Sequence, residues 1–435
     1  MSAMRRVAVV GGGWAGLAAA VEATALGHAV TLYEMAPMLG GRARRLPNTA
    51  AGLALDNGQH ILIGAYSETL RLLKLVGLEE AAVLRRLPLT LVDAQGRGLR
   101  LPRGPALPSF VRGVLTAQGW SARERWALLR AASGWLLRGF RCHPALSVAA
   151  LTADLPAALR RGLIEPLCVA ALNTPAEQAS AQVFLKVLRD ALFTGPGASD
   201  LLLPRVDLGN LWPDAAARWL LERGAVLHAG RRVEELRREG EGWQLAVGNG
   251  PKSFDRVLLA CSAVEAARLA RPHAPQWSVL AENLHYEPIV TVLLRAPGAR
   301  LPAPMLALAA DAEAPAQYVF DLGQLRDGER EPAARGVLAF VISGAAGCIE
   351  RGLDISAQQV QRQATAQLGA LLSGPPQLLR VLSEKRATFL CTPGLQRPPA
   401  AVADGLRAAG DYIEGPYPAT LEGAVRAGVA AAHAA

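Results

Sequence analysis

Lysine is nearly missing. Four residues (Lys74, Lys186, Lys252, Lys385) occur among 435, so the net charge of +9 rests on arginine. No dense basic run with interleaved aromatics is present, which excludes a nucleic-acid-binding chain; contact with an anionic membrane surface stays open. The five cysteines (Cys142, Cys168, Cys261, Cys348, Cys391) are odd in number, scattered and without a C-x-x-C pair. That excludes a disulfide scaffold and reads as free thiols in a reducing compartment. The seven histidines show no H-E-x-x-H or clustered ligand spacing, so no metal is expected. No apolar run of about 18 residues exists to cross a membrane. Arg5 and Arg6 before an apolar stretch imitate a signal peptide, but glycines interrupt that stretch and it continues as a strand. What is abundant is core material. Apolar residues make up 51% and charged residues 19%, which excludes a disordered chain or a coiled coil. The length suits two or three folding units.

The first segment reads as β-α-β: a strand at Val7–Val10, a helix from Trp14 to Leu26 stopped by Gly27, and a strand at Val30–Tyr33. A polar, helical stretch is expected to about Leu84. Prolines crowd 88–108, and helical patterns follow, clearest at 121–141 and 178–193. Short strands return at Ala225–His228, Val233–Leu236, Trp243–Val247 and Arg256–Ala260, then at Ile289–Leu294 and Val337–Ile342. A helix at 356–372, a strand near 378–389, a strand at Leu406–Ala409 and a last helix from Ala419 complete the chain.

Gly11, Gly13 and Gly16 meet the G-x-G-x-x-G spacing between a strand and a helix that Trp14 and Ala15 open. The glycines serve a tight turn, close approach to a pyrophosphate, and helix-on-strand packing. Glu34 ends the second strand, where a carboxylate accepts the ribose hydroxyls of an adenosine. Six residues on, Gly40-Gly41-Arg42 brings a second close backbone approach and a guanidinium for phosphate charge. A nicotinamide-binding domain has no need of this second element.

The combination E-x₅-G-G-R resembles the flavin amine oxidase and carotenoid desaturase superfamily. The resemblance implies an α/β fold: a Rossmann-like FAD-binding domain of the flavin amine oxidase type with an inserted α+β substrate domain. It also implies that Gly410-Asp411 closes the FAD site at the ribityl or pyrophosphate region. Thr420, Leu421 and Ala424 would open the last helix against the flavin pyrimidine, where the helix dipole favours negative charge. Val233 resembles the superfamily's backbone contact to adenine. The corresponding division is 1–84, 206–262 and 401–435 for the FAD-binding domain, 85–205 for a helical substrate- or membrane-facing region, and 263–400 for a substrate-domain sheet with helices.

Two interior segments narrow the resemblance. Asp56-Asn57-Gly58-Gln59-His60 and Pro166–Pro175, with Ala179-Ser180-Ala181 and Leu201–Arg205, are similar to the squalene-associated FAD-dependent desaturases, the hydroxysqualene dehydroxylases of bacterial hopanoid synthesis. That family reduces hydroxysqualene to squalene with reduced FAD. An allylic hydroxyl must be protonated and a cation sheltered from water. The resemblance puts His60, Asp56 and Gln59 at the reacting centre, with His60 or Asp56 as acid; a histidine can be cationic near neutral pH. Asp56 as a turn cap and His60 as a packed core histidine are the plainer readings. Tyr412 and Tyr417 are further candidates to face the cation. A carotenoid-type desaturase, an amine oxidase and a noncatalytic isoprenoid carrier with structural FAD are the competing functions.

A thirty-carbon substrate calls for a membrane or a partner that delivers it. The implied partners are the isoprenoid itself, upstream squalene-pathway enzymes and a peripheral membrane contact, and the implied location is the cytoplasm, at most peripheral to the inner face of its membrane. Residues 120–141 carry Trp120, Trp126 and Trp135 with Arg123, Arg130, Arg138 and Arg141. Both a docking helix and a core helix with one solvated arginine stripe fit that pattern.

Overall fold

The computed structural model describes residues 4–50, 52–248, 250–326 and 331–435. The strand Arg6–Val10 (β1), the helix Trp14–Ala25 (α1) and the strand Ala29–Glu34 (β2) form the expected unit. β1 is the centre of a six-stranded sheet in the order Val226–Ala229, β2, β1, Arg256–Leu259, Leu406–Ala408, Ala401–Ala403. All neighbours are parallel except the last pair. The first five follow the doubly wound order 3-2-1-4-5, which sets the carboxyl ends of the strands around one crevice. α1 is apolar almost all round, and ten of its residues are buried. It is clamped between this sheet and the last helix, Leu421–His433, which is why no polar face is visible in its sequence.

A five-stranded antiparallel sheet forms the second layer, in the order Met305–Ala307, Tyr318–Asp321, Val337–Ile342, Tyr286–Arg295, Gln377–Phe389. Its side chains alternate as pleating requires. Val290, Val292, Leu338 and Phe340 pack on one face against Val360 and Ala364 of the helix Leu353–Leu368. Ile289, Phe320, Val341 and Leu382 belong to the opposite face, which opens on a cleft.

Two stretches differ from the expected pattern. The region before Leu84 contains a hairpin, Arg45–Ala50 with Leu53–Asp56, ahead of the helix Ser67–Leu75. The helical region after it contains the strand Leu201–Pro204, paired with both Leu84–Leu87 and Leu62–Ile63. Leu201–Pro204 and its two partners lie more than a hundred residues apart, which local composition does not reveal. The helices Ala106–Leu115, Ala122–Leu137, Glu165–Leu172 and Ala181–Leu192 dominate the rest of the segment, which also holds a small hairpin, Thr90–Val92 with Gly98–Arg100. Ser121 and Glu124 make a reciprocal capping box at the start of Ala122–Leu137. Among the described residues no helix is long and apolar enough to cross a membrane.

Candidate functional site

A cleft of about 550 Å³ runs from the carboxyl end of β1 to the open face of the five-stranded sheet. One end is built from two glycine turns laid side by side. Gly40 N–H donates to Gly12 O at 2.8 Å, and Gly13 bridges to Gly40 in parallel register. Gly11, Gly13, Trp14, Ala15, Gly40, Gly41 and Arg42 all line the cleft. Gly16 does not: it seats α1 on the turn, where a Cβ would stand 1.8 Å from the Gly11 carbonyl oxygen. Trp14 is fixed by its indole N–H to Ala43 O at 2.9 Å.

Glu34 is buried at the cleft wall. Its carboxylate accepts from Gly12 N–H at 2.6 Å and Ala36 N–H at 2.8 Å, which aims it at the space in front of the first turn. Val233 lies on the same side, its carbonyl accepting from Arg268 at 2.9 Å. Arg42 bonds Asp411 at 2.5 Å and Ala387 O at 2.8 Å, tying the second glycine turn to Gly410-Asp411. Thr420 caps the last helix by accepting from Gly423 N–H at 2.9 Å, and Thr420, Leu421 and Ala424 bring that helix start to the cleft. An N-terminus so placed favours a negative ligand group.

These residues fit a bound dinucleotide on two grounds. An added Cβ at Gly13 would meet only Gly41 Cα, at 3.7 Å, so packing does not demand glycine there and the side chain would stand in the cleft. The Tyr412 hydroxyl, beside Asp411 in the lining, is buried with no hydrogen-bond partner among the described residues. A buried polar atom of that kind points to a missing partner.

At the other end, Gln59 and His60 line the cleft with Asn57 and Gly58. His60 Nδ1 lies 3.3 Å from Gly58 O. Burial pushes the imidazole below its usual pKa range, with the Arg42 charge acting in the same direction. That shift disfavours the cationic form of His60. Asp56 is not among the lining residues. Its carboxylate is turned to Arg326 at 2.5 Å and to Leu208 N–H at 2.8 Å, and burial raises its pKa to about 6. Tyr417 lies outside the cleft, with Lys186 and Arg426 over its ring. The structure adds residues that carry no sequence signal: Thr291, Tyr318 and Glu384 come from the sheet, and Glu384 accepts from Asn57 Nδ2 at 2.9 Å. Asn173, at the end of Pro166–Pro175, is a left-handed helix cap. Its amide donates to Glu287 O and Thr388 Oγ1 and accepts from Gly344 N–H, which knits the helical segment to the sheet.

The Asp56–Arg326 pair yields a pH-dependent prediction. A carboxyl with a folded pKa of about 6 and an unfolded value near 3.8 takes up its proton earlier when folded, so this group favours folding as pH falls from about 6 to about 4. Arg326→Met removes the attraction that lowers this pKa, so the carboxyl then stays protonated to higher pH. The variant should lose about 3 kcal/mol near pH 8, the scale for breaking a buried pair, and less near pH 5. Thermal melts of both proteins at the two pH values check this; a pH-independent gap would show that Asp56 ionisation does not set the cost.

Comparison with known proteins follows the same lines. The chain is 28% identical to a hydroxysqualene dehydroxylase of Zymomonas mobilis over 98% of its own length and 97% of the relative's. A hydroxysqualene dehydroxylase of Sinorhizobium fredii is 26% identical with the same coverage. An oxidoreductase structure from Methanosarcina mazei superposes with a TM-score of 0.75 over 99% of this chain and 100% of that one, at 16% identity. The profile of the flavin containing amine oxidoreductases matches residues 14–435, and the chain belongs to that family.

Proposed function

We propose that the protein is an FAD-dependent oxidoreductase that reduces hydroxysqualene to squalene. The observation that carries the reading is one continuous cleft, with a dinucleotide cradle at one end and an apolar sheet face at the other. The near full-length likeness to two proteins of that name supports it. In this reading Gly11, Gly13 and Gly16 form the pyrophosphate turn, Glu34 takes the adenosine ribose, and Val233 the adenine. Arg42 and Asp411 serve the pyrophosphate and ribityl, and Thr420, Leu421 and Ala424 the pyrimidine. Reduced FAD, when bound, supplies hydride. The chain's own task is the leaving hydroxyl. His60, with Gln59 beside it, delivers a proton to that oxygen; the C–O bond breaks, water leaves, and the allylic cation left in the cleft would be the acceptor for that hydride. Ile289, Phe320, Val341 and Leu382 keep water from the cation. Asp56 serves the site by holding its turn through Arg326 and Leu208. The test is parallel anaerobic incubation of reduced holoprotein with hydroxysqualene, phytoene and a simple amine. Squalene is the expected product, and turnover of either other compound alone would overturn the assignment. The flavin released on denaturation should be FAD and not FMN.

Substrate delivery from an anionic phospholipid surface belongs to the same proposal. Residues 103–141 hold seven arginines against one glutamate, a net +6 of the chain's +9. Of these, Arg103, Arg112, Arg123, Arg130, Arg138 and Arg141 have no carboxylate partner among the described residues. Leu107 and Leu115 of Ala106–Leu115 and Trp126, Leu136 and Leu137 of Ala122–Leu137 are exposed among them, Trp126 at 67% and Leu137 at 87%. Basic charge with exposed Trp and Leu suits the lipid interface. Trp135, by contrast, is 5% exposed and packs in the core, so it is no part of such a surface. Trp126→Ser with Leu137→Ser should reduce binding to phosphatidylglycerol vesicles by about tenfold or more while flavin content is unchanged. Vesicle sedimentation measures this, and undiminished binding would exclude the surface.

A further inference from the structure

The cleft floor around Thr291 is apolar. On its own strand Thr291 has Ile289 two residues away; across the sheet it pairs with Val341 on one side and Leu382 on the other. All four line the cleft. Thr291 is 3% exposed, and its hydroxyl has no hydrogen-bond partner among the described residues. Valine has nearly the same shape and would fill the position at no polar cost, so a floor built only for hydrocarbon gains nothing from a threonine. The hydroxyl also stands at a particular place. A Cβ built on Gly58 would lie 3.7 Å from Thr291 Oγ1 and 4.0 Å from His60 Cε1. The bare Gly58 turn thus leaves a point within about 4 Å of both the threonine hydroxyl and the imidazole unfilled.

We propose that Thr291 is the polar anchor of the substrate: its hydroxyl hydrogen-bonds the single oxygen of an otherwise apolar isoprenoid alcohol and holds that oxygen beside His60. The inference rests on the function proposed above and adds what that function leaves unassigned, the group that tells an isoprenoid alcohol from the corresponding hydrocarbon. A hydroxyl both donates and accepts, so Thr291 bonds the alcohol oxygen before proton transfer. The bond forms only with an oxygenated ligand. Squalene offers the site nothing, which favours product release.

The test titrates FAD-loaded wild type, Thr291→Val and Thr291→Ser with hydroxysqualene and with squalene, following perturbation of the flavin spectrum. Wild type should bind the alcohol more tightly than the hydrocarbon. Thr291→Val should lose about 3- to 10-fold of that preference, the value of a neutral hydrogen bond, with squalene affinity and FAD content unchanged. Thr291→Ser should restore it. Full preference in Thr291→Val overturns the inference while leaving the proposed function standing. So does loss of FAD from Thr291→Val with the preference intact, since the hydroxyl then belongs to the cofactor. A wild type that binds both ligands alike and forms no squalene removes the proposed function and the inference with it.

Discussion

Gly13→Ala should fold as the wild type does and emerge nearly free of flavin. Gly13 has ordinary extended backbone angles at the start of α1, and its added methyl would touch only Gly41 Cα, in normal van der Waals contact. The loss at the helix cap is at most about 1 kcal/mol. In the proposed reading, however, the methyl stands where a pyrophosphate must approach the backbone, and overlap with a tightly held group costs about 10- to 100-fold in affinity. Gly16→Ala is the contrasting case. Its methyl would stand 1.8 Å from the Gly11 carbonyl oxygen, so the turn and the seating of α1 must both move. That variant should lose flavin and thermal stability together. Flavin-to-protein ratio and thermal midpoint, measured on both variants, separate a residue that makes room for a ligand from one that makes room for the fold. A Gly13→Ala protein carrying full flavin would remove the first turn from the binding site.

His60→Ala should slow reoxidation of the reduced flavin by hydroxysqualene by about 10²-fold or more, the usual scale for a positioned acid, with flavin still bound. The pH profile is the sharper part of this prediction. Burial first, and the Arg42 charge as well, hold the imidazole below its usual range. An acid must be protonated to act, so the wild-type rate should rise only as pH falls below the usual histidine range and be low at neutral pH. His60→Ala should flatten that limb. A wild-type rate independent of pH from 5 to 8, or a variant with a normal rate, would move the proton to another lining group such as Glu384, which already faces the cleft through Asn57.

The glycine-turn end of the cleft is legible in the sequence because its parts are local. A strand, three glycines, a helix and a terminal carboxylate lie within Arg6–Glu34, and their spacing is set by one turn. Gly40-Gly41-Arg42 could be read the same way. The substrate end is different. Thr291 and Glu384 stand on strands more than two hundred residues from His60, and only sheet pairing brings them to one cleft. No short-range pattern distinguishes Thr291 from any other strand threonine. Asp56 shows the converse: its motif is conspicuous, yet its partner Arg326 is 270 residues away, and the pairing turns the carboxylate out of the cleft. The helix Ala122–Leu137 has apolar residues on most of its circumference, so periodicity alone could not separate buried Trp135 from exposed Trp126. Its packing partners decide that, and the sequence does not name them.

The central claim is that this cleft removes a hydroxyl from an isoprenoid and leaves a hydrogen in its place. The most direct measurement is a single turnover. The bound flavin is photoreduced without oxygen and with deuterium at the transferable position, under conditions that slow exchange; hydroxysqualene is added, and flavin reoxidation and product are followed together. Reoxidation matched by squalene carrying one deuterium is the predicted result. Reduced protein that leaves hydroxysqualene untouched, while oxidised protein bleaches with phytoene or squalene, would contradict it and reverse the direction of hydride flow.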